Sequence, residues 1–167
     1  MTQGFRYALY ALIPLILVVD QWTKWLVLNE PRFNALGCLD RTEACGKIEL
    51  SPVFDLTMVW NRGISFGLGQ SDGIMRWLLV ILTAGIAIGF AIWLMRAGRR
   101  LTGVALALVI GGAIGNVIDR VRFGAVVDFL DFSDIYFIWV FNVADSAICV
   151  GAALLFVDQF LMSRHEK

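Results

Sequence analysis

The chain has 167 residues, 59% hydrophobic and 17% charged, with 14 basic side chains balancing 14 acidic ones for a formal net charge of zero. A mean hydropathy of +0.74 places it in the membrane class before any motif is read. The charges fall in short segments between apolar runs, so no basic face is left to seat nucleic acid, and that partner is excluded.

Spanning a hydrocarbon core of roughly 30 Å takes about 20 helical residues, and four segments are long enough. The first runs from about Tyr7 to Leu28, after Arg6. It ends in no Ala-x-Ala-like site and reads as a retained helix rather than a cleaved leader. Asp20 and Lys24 lie one turn apart on it and are placed to neutralise each other.

The segment from Asn29 to Arg76 is predicted to lie outside the membrane. It carries Cys38 and Cys45, which an oxidising compartment allows to pair, although two free thiols fit the sequence as well. Phe54-Asp-Leu-Thr-Met-Val-Trp60 alternates large apolar residues with smaller or polar ones, the period of a half-buried strand, with Pro52 at its start. This predicts a small extracytoplasmic sheet element with Phe54, Leu56, Met58 and Trp60 on one side. It either covers the helix ends or holds a substrate. Asn61 and Gly63 follow it, as a turn or as polar groups offered to a substrate main chain.

The second helix is predicted from Trp77 to Met95 and the third from Leu101 to Ile118, joined by Arg96-Ala-Gly-Arg-Arg100. Gly85 and Gly89 on one and Gly111 and Gly115 on the other form small-xxx-small patterns, which serve close helix approach or homodimerisation. Asn116 and Arg120 share a face near the end of the third helix, with Asp119 beside Arg120 as a ready partner. A second outward segment, Asp119 to Tyr136, holds Asp128. The fourth helix, predicted from Phe137 to Met162, holds Asn142 three residues before Asp145 and carries Cys149 as a packing residue. The basic turn at 96–100 and the basic end Arg164-His-Glu-Lys167 place both termini in the cytoplasm. Asp128 and Asp145 then lie near the outer membrane boundary. The expected fold is all-α integral membrane, one polytopic domain over residues 1–167.

Ionisable residues at membrane depth are costly enough to be functional hypotheses by default. His165 is the sole histidine and sits in the tail, which removes a Ser-His-Asp triad, a Cys-His pair and His-ligated zinc from the outer site. Gly63-Ile-Ser-Phe-Gly67 matches a nucleophile-elbow pattern without the sheet or histidine that pattern needs. Ser65 with Lys24 as base is weakened by Asp20, which holds the lysine as an ammonium. Two carboxylates a few Å apart solve the problem without metal or cofactor. They share one proton, so one member acts as base and the other as acid. Asp131 and Asp134 are rival acids that read as solvated loop charges. A proton relay through Asp20, Asp145 and Arg120 would need polar residues through the membrane, yet Thr83 is the lone polar side chain of the second helix. A scaffold without chemistry leaves Asn142 and Asp145 unexplained.

Four blocks in order, Val19-Asp-Gln-Trp-Thr-Lys24, Trp60-Asn-Arg-Gly-Ile-Ser-Phe66, Gly111-Gly-Ala-Ile-Gly-Asn-Val-Ile-Asp-Arg120 continuing to Gly124-Ala-Val-Val-Asp-Phe129, and Phe141-Asn-Val-Ala-Asp145, resemble the bacterial lipoprotein signal peptidase (signal peptidase II) family over nearly the whole chain. The resemblance implies a membrane-embedded aspartic endopeptidase of the bacterial inner membrane. Such an enzyme removes the signal peptide from diacylglyceryl-modified prolipoproteins, cutting before the lipidated cysteine. It implies Asp128 and Asp145 as the catalytic pair and Asp20, Lys24, Asn61, Gly63, Asn116, Arg120 and Asn142 as substrate-binding or supporting residues. No metal or cofactor is implied, membrane lipids are the surroundings, and a monomer is expected.

Overall fold

The structure, a computed structural model, describes residues 1–38, 44–63 and 73–165. Among the described residues, four helices are long and apolar enough to cross a membrane: α1 (Gln3–Leu28), α3 (Ile74–Arg96), α4 (Arg100–Phe123) and α5 (Val143–His165). A short helix α2 (Pro31–Ala35) follows α1. Strands β1 (Ala44–Glu49), β2 (Asp55–Asn61), β3 (Val126–Phe132) and β4 (Phe137–Phe141) form one antiparallel sheet in that order. The mostly helical membrane fold with a small sheet is thus the one expected from sequence. Ser65 lies outside the described residues.

Helix α4 is the centre of the bundle. Of its apolar stretch 67% is buried inside the protein, against 22% for α1 and 17% each for α3 and α5. Glycine makes this possible. A Cβ on Gly112 would lie 2.3 Å from the Ala144 carbonyl oxygen of α5, and one on Gly115 would lie 2.5 Å from Asp20 Oδ2 of α1. The backbones therefore approach closely where lipid offers no hydrophobic drive for association. Gly85 and Gly89 of α3 are different: a Cβ there meets nothing within 4 Å. The same spacing in sequence marks a packed seam on α4 and an open face on α3.

The sheet is larger than the alternation of residues 54–60 predicts. Met58 and Trp60 are buried, but a bulge between Leu56 and Val59 breaks the period and leaves Leu56 half-buried. The core beneath the sheet joins Val27 and Phe33 to Met58, Trp60, Val127 and Phe129. Cys38 and Cys45 are joined as a disulfide, and the Trp60 indole N–H donates to the Cys38 carbonyl at 2.9 Å. Helix α4 ends at Gly124 in the left-handed conformation, φ 81°, whose N–H donates to the Arg120 carbonyl at 3.1 Å. That cap turns the chain directly into β3.

The fourth spanning helix starts at Val143 rather than near Phe137, because Phe137-Ile-Trp-Val-Phe141 is strand β4 paired with β3. Five large aromatic and β-branched residues in succession favour a pleated edge over a helix start. Asp131 is likewise no solvated loop acid. It lies in β3, 5% exposed, and accepts from the Thr57 hydroxyl and the Ser133 N–H. Asp134 is 42% exposed and pairs with Lys47 at 2.9 Å.

Gly112→Ala should lower thermal stability in detergent by about 1–3 kcal/mol through overpacking. Gly85→Ala should be neutral or stabilise by up to about 1 kcal/mol from helix propensity. Equal effects at the two positions would contradict the packing described.

Candidate active site

Asn142 immediately precedes α5, and Asp145 is the third residue of that helix. The Asn142 side-chain oxygen accepts from the Asp145 backbone N–H at 2.8 Å, and Asp145 Oδ2 accepts from the Asn142 backbone N–H at 3.3 Å. This reciprocal cap satisfies two helix-end donors and fixes the Asp145 carboxylate at the positive end of the helix. Its second oxygen, Oδ1, accepts from Asn116 Nδ2 of α4 at 2.7 Å. Asp145 is half-buried.

Asp128 reaches the same place from the sheet. Register sets Val59 opposite Asp128 and Asn61 opposite Val126, so Asn61 is the diagonal neighbour of Asp128 on one face. Asn61 Nδ2 accordingly donates to Asp128 Oδ2 at 3.0 Å, while Asn61 Oδ1 accepts from the Gly63 N–H at 3.2 Å. Asn142 Nδ2 donates to Asp128 Oδ1 at 2.7 Å. One asparagine thus donates to both carboxylates, through its amide to Asp128 and its backbone to Asp145. Asp128 is 2% exposed. Burial, followed by the charge of Asp145, pushes its carboxyl from 3.8 up to about 7, against the pull of the Asn61 and Asn142 amides.

Behind the pair lies a buried ion cluster. Lys24 Nζ sits 2.9 Å from Asp20 Oδ2 and 2.7 Å from Asp119 Oδ2, and all three are at most 2% exposed. Lys24 also donates to Asn116 Oδ1 at 3.3 Å, orienting the amide that holds Asp145. Asp20 Oδ1 accepts from the Ala144 N–H at 3.0 Å, and Asp119 Oδ2 accepts from the Val127 N–H at 3.2 Å. Each acid therefore anchors the backbone next to one carboxylate of the pair. Asp119 partners Lys24 rather than the adjacent Arg120. The Arg120 guanidinium donates to the Asn116 carbonyl at 3.5 Å.

The nine residues singled out in the sequence converge on this one region, linked by the bonds above. Asp119 and Gln21 were missed as members. Gln21 Nε2 bridges Asp119 Oδ1 at 2.9 Å and Asp20 Oδ2 at 3.1 Å. Asn116, Asp119 and Arg120 at i, i+3 and i+4 share a helix face, the signal that would have found Asp119. Among the described residues, no group of three His, Cys, Asp or Glu is disposed to hold a metal ion. Two adjacent carboxylates that share one proton can act as acid and base at once.

Two stability measurements check this geometry. A raised folded-state value means the stabilising contribution of protonated Asp128 is complete below 3.8 and lost as pH rises through about 7. Asn does not ionise, so the thermal stability of Asp128→Asn relative to the unmutated protein should climb between about pH 4 and about pH 7 and level off above that; a flat difference across that range would contradict the buried, shifted carboxyl. Lys24→Met strands two buried carboxylates and should cost about 3–5 kcal/mol. Adding Asp20→Asn and Asp119→Asn should recover most of that loss.

A family model described as "Signal peptidase (SPase) II" matches residues 12–161. The chain is 45% identical over 159 residues to the lipoprotein signal peptidase of Caulobacter vibrioides, covering 94% of this chain and 89% of the relative. It is 44% identical over 163 residues to that of Methylobacterium radiotolerans, covering 92% and 85%. A solved structure described as a bacterial membrane enzyme, obtained by the in meso method, superposes with a TM-score of 0.78 at 25% identity, covering 96% of this chain and 92% of the other. The chain is therefore a multi-pass membrane protein that belongs to the signal peptidase II family, peptidases that remove the signal peptide in lipoprotein maturation.

Proposed function

We propose that the chain is an aspartic endopeptidase, with Asp128 and Asp145 as the catalytic pair, acting on diacylglyceryl-modified prolipoproteins and cutting before the lipidated cysteine. The observation that carries the reading is the pair itself: two carboxylates tied to one asparagine, one of them buried with its proton affinity raised to about 7. At neutral pH this favours a single proton shared by the pair, which keeps one negative charge.

In the first step Asp145 takes a proton from water as the water oxygen bonds to the scissile carbonyl carbon. Asp128 gives its proton to the carbonyl oxygen, leaving a neutral gem-diol. The two carboxyls have then exchanged protonation states. In the second step Asp145 delivers its proton to the leaving amide nitrogen as the C–N bond breaks, and Asp128 recovers a proton from a diol hydroxyl. The products are a free acid on the signal peptide and a free amine on the cysteine. Asn61, Asn116 and Asn142 hold the carboxylates through both steps, Gly63 braces Asn61, and Lys24 with Asp20 and Asp119 supplies a fixed, neutralised backing. Arg120 offsets the one negative charge that the pair keeps.

The basic turn at 96–100 supports an orientation in the bacterial cytoplasmic membrane with both ends of the chain inside and the pair near the outer face. There the acyl chains of a substrate stay in the bilayer while its peptide bond reaches the site. The pair draws on one chain, consistent with a monomer.

Cleavage of a diacylglyceryl-modified prolipoprotein peptide by purified protein tests the proposal. Asp128→Asn and Asp145→Asn should each lower turnover by about 10²–10⁴-fold while staying folded. Ser65→Ala and added chelator should leave activity intact, and kcat/KM should fall as pH rises through about 7. Folded Asn variants that still cleave would overturn the aspartate pair.

A further inference from the structure

At the opposite end of α4 from the carboxylate pair lies a second polar site that the reaction does not use. Thr102 and Arg120 are 18 residues apart on α4, about 27 Å at 1.5 Å per residue. A cavity of about 290 Å³ opens there between the turn joining α3 to α4 and the last turns of α5, with Trp93, Arg96, Arg99, Thr102, Asp158 and Gln159 among its lining residues. Asp158 is 3% exposed and would be a costly buried charge without partners. It has them: the Thr102 hydroxyl donates to Oδ2, and Arg99 Nη2 lies 3.0 Å from Oδ1. Arg99 Nη1 also donates to the Asp158 carbonyl at 3.3 Å.

This arrangement pins the Arg99 guanidinium in the cavity wall with donors to spare, since guanidinium has five. Arg96 meets no carboxylate among the described residues. Two guanidiniums against one carboxylate therefore line the cavity, and two more stand beside it, again without a carboxylate partner: Arg6 donates to the Met95 carbonyl at 3.0 Å, and Arg100 lies over the Phe5 ring at 5.3 Å. Leu155 and Met162 add an apolar wall, and Trp93, 46% exposed, is the residue type that settles at headgroup level.

We propose that this cavity binds the phosphate headgroup of an anionic phospholipid. The net positive charge at a helix end favours a net anionic headgroup over a zwitterionic one, and the planar donors of Arg99 and Arg96 suit bidentate contact with its phosphate. The apolar wall takes the proximal acyl carbons, which favours a lipid over free phosphate. A basic pocket between spanning helices at the membrane boundary is the setting in which such headgroups are held. The inference stands on this end of the bundle and does not depend on the proposed peptidase chemistry.

The test is native mass spectrometry of the full chain in detergent with equimolar phosphatidylglycerol and phosphatidylcholine, with millimolar glycerol phosphate as competitor. Selective retention of phosphatidylglycerol that the competitor does not displace is expected. Arg96→Gln, and separately the neutral double Arg99→Gln with Asp158→Asn, should each weaken that retention about fivefold. Equal retention of the two lipids, displacement by glycerol phosphate, or unchanged retention in both variants would overturn the proposal. A headgroup-photoactivatable phosphatidylglycerol on the unmutated protein gives a readout that needs no variant. Labelling within residues 93–102 or 155–162 supports the site, and labelling confined elsewhere refutes it.

Discussion

Two carboxylates brought together at a membrane boundary repel each other and lose hydration, so every oxygen needs a donor and the pair cannot hold two full charges. Asn142 is the residue through which this constraint is met. Its amide donates to Asp128, its backbone N–H to Asp145, and its side-chain oxygen accepts from the Asp145 N–H. Because these are also the bonds of a helix cap, the start of α5 and the spacing of the pair are one structural decision. Moving the cap would move both carboxylates' shared partner.

The rest of the fold keeps that arrangement fixed. Asp20 and Asp119 each spend one oxygen on a backbone N–H beside the pair, at Ala144 and Val127, and Lys24 lies between them as the common counter-ion. The cluster has room only because Gly115 leaves the Asp20 carboxylate space against α4, and α5 comes close only because Gly112 lets Ala144 in. The left-handed turn at Gly124 then returns the chain so that β3 pairs with β2 in the register that sets Asn61 diagonal to Asp128. Packing, ion pairing and strand register thus converge on one pair of carboxyl groups.

Much of this was legible in the sequence, for identifiable reasons. Apolar length marks the four spans, and intramembrane cost marks Asp20, Lys24 and Asp145 as residues that need partners. Asp128 was less plain, since an acid in a segment read as a loop has many ordinary explanations; its position in β3 rests on pairing between residues far apart in the chain. The strand at Phe137–Phe141 was absorbed into the fourth helix because a short run of aromatic and β-branched residues has no period to separate the two. The i, i+3 spacing of Asn142 and Asp145 is the cap signal that marks the boundary. Glycine spacing alone did not distinguish the packed seam of α4 from the open face of α3, because the sequence does not say which face meets a neighbour. Asp119 looked like the partner of adjacent Arg120, yet successive helical residues point apart, and Lys24 from another helix takes it instead.

The central claim is that Asp128 and Asp145 hold one proton between them at neutral pH, and infrared difference spectroscopy across a pH titration reads this directly. The account predicts a protonated carboxyl band that is present in mildly acidic solution, disappears as pH passes through about 7, and is lost in Asp128→Asn. A protein with no protonated carboxyl band titrating near that pH, or with the same band surviving in Asp128→Asn, would contradict it.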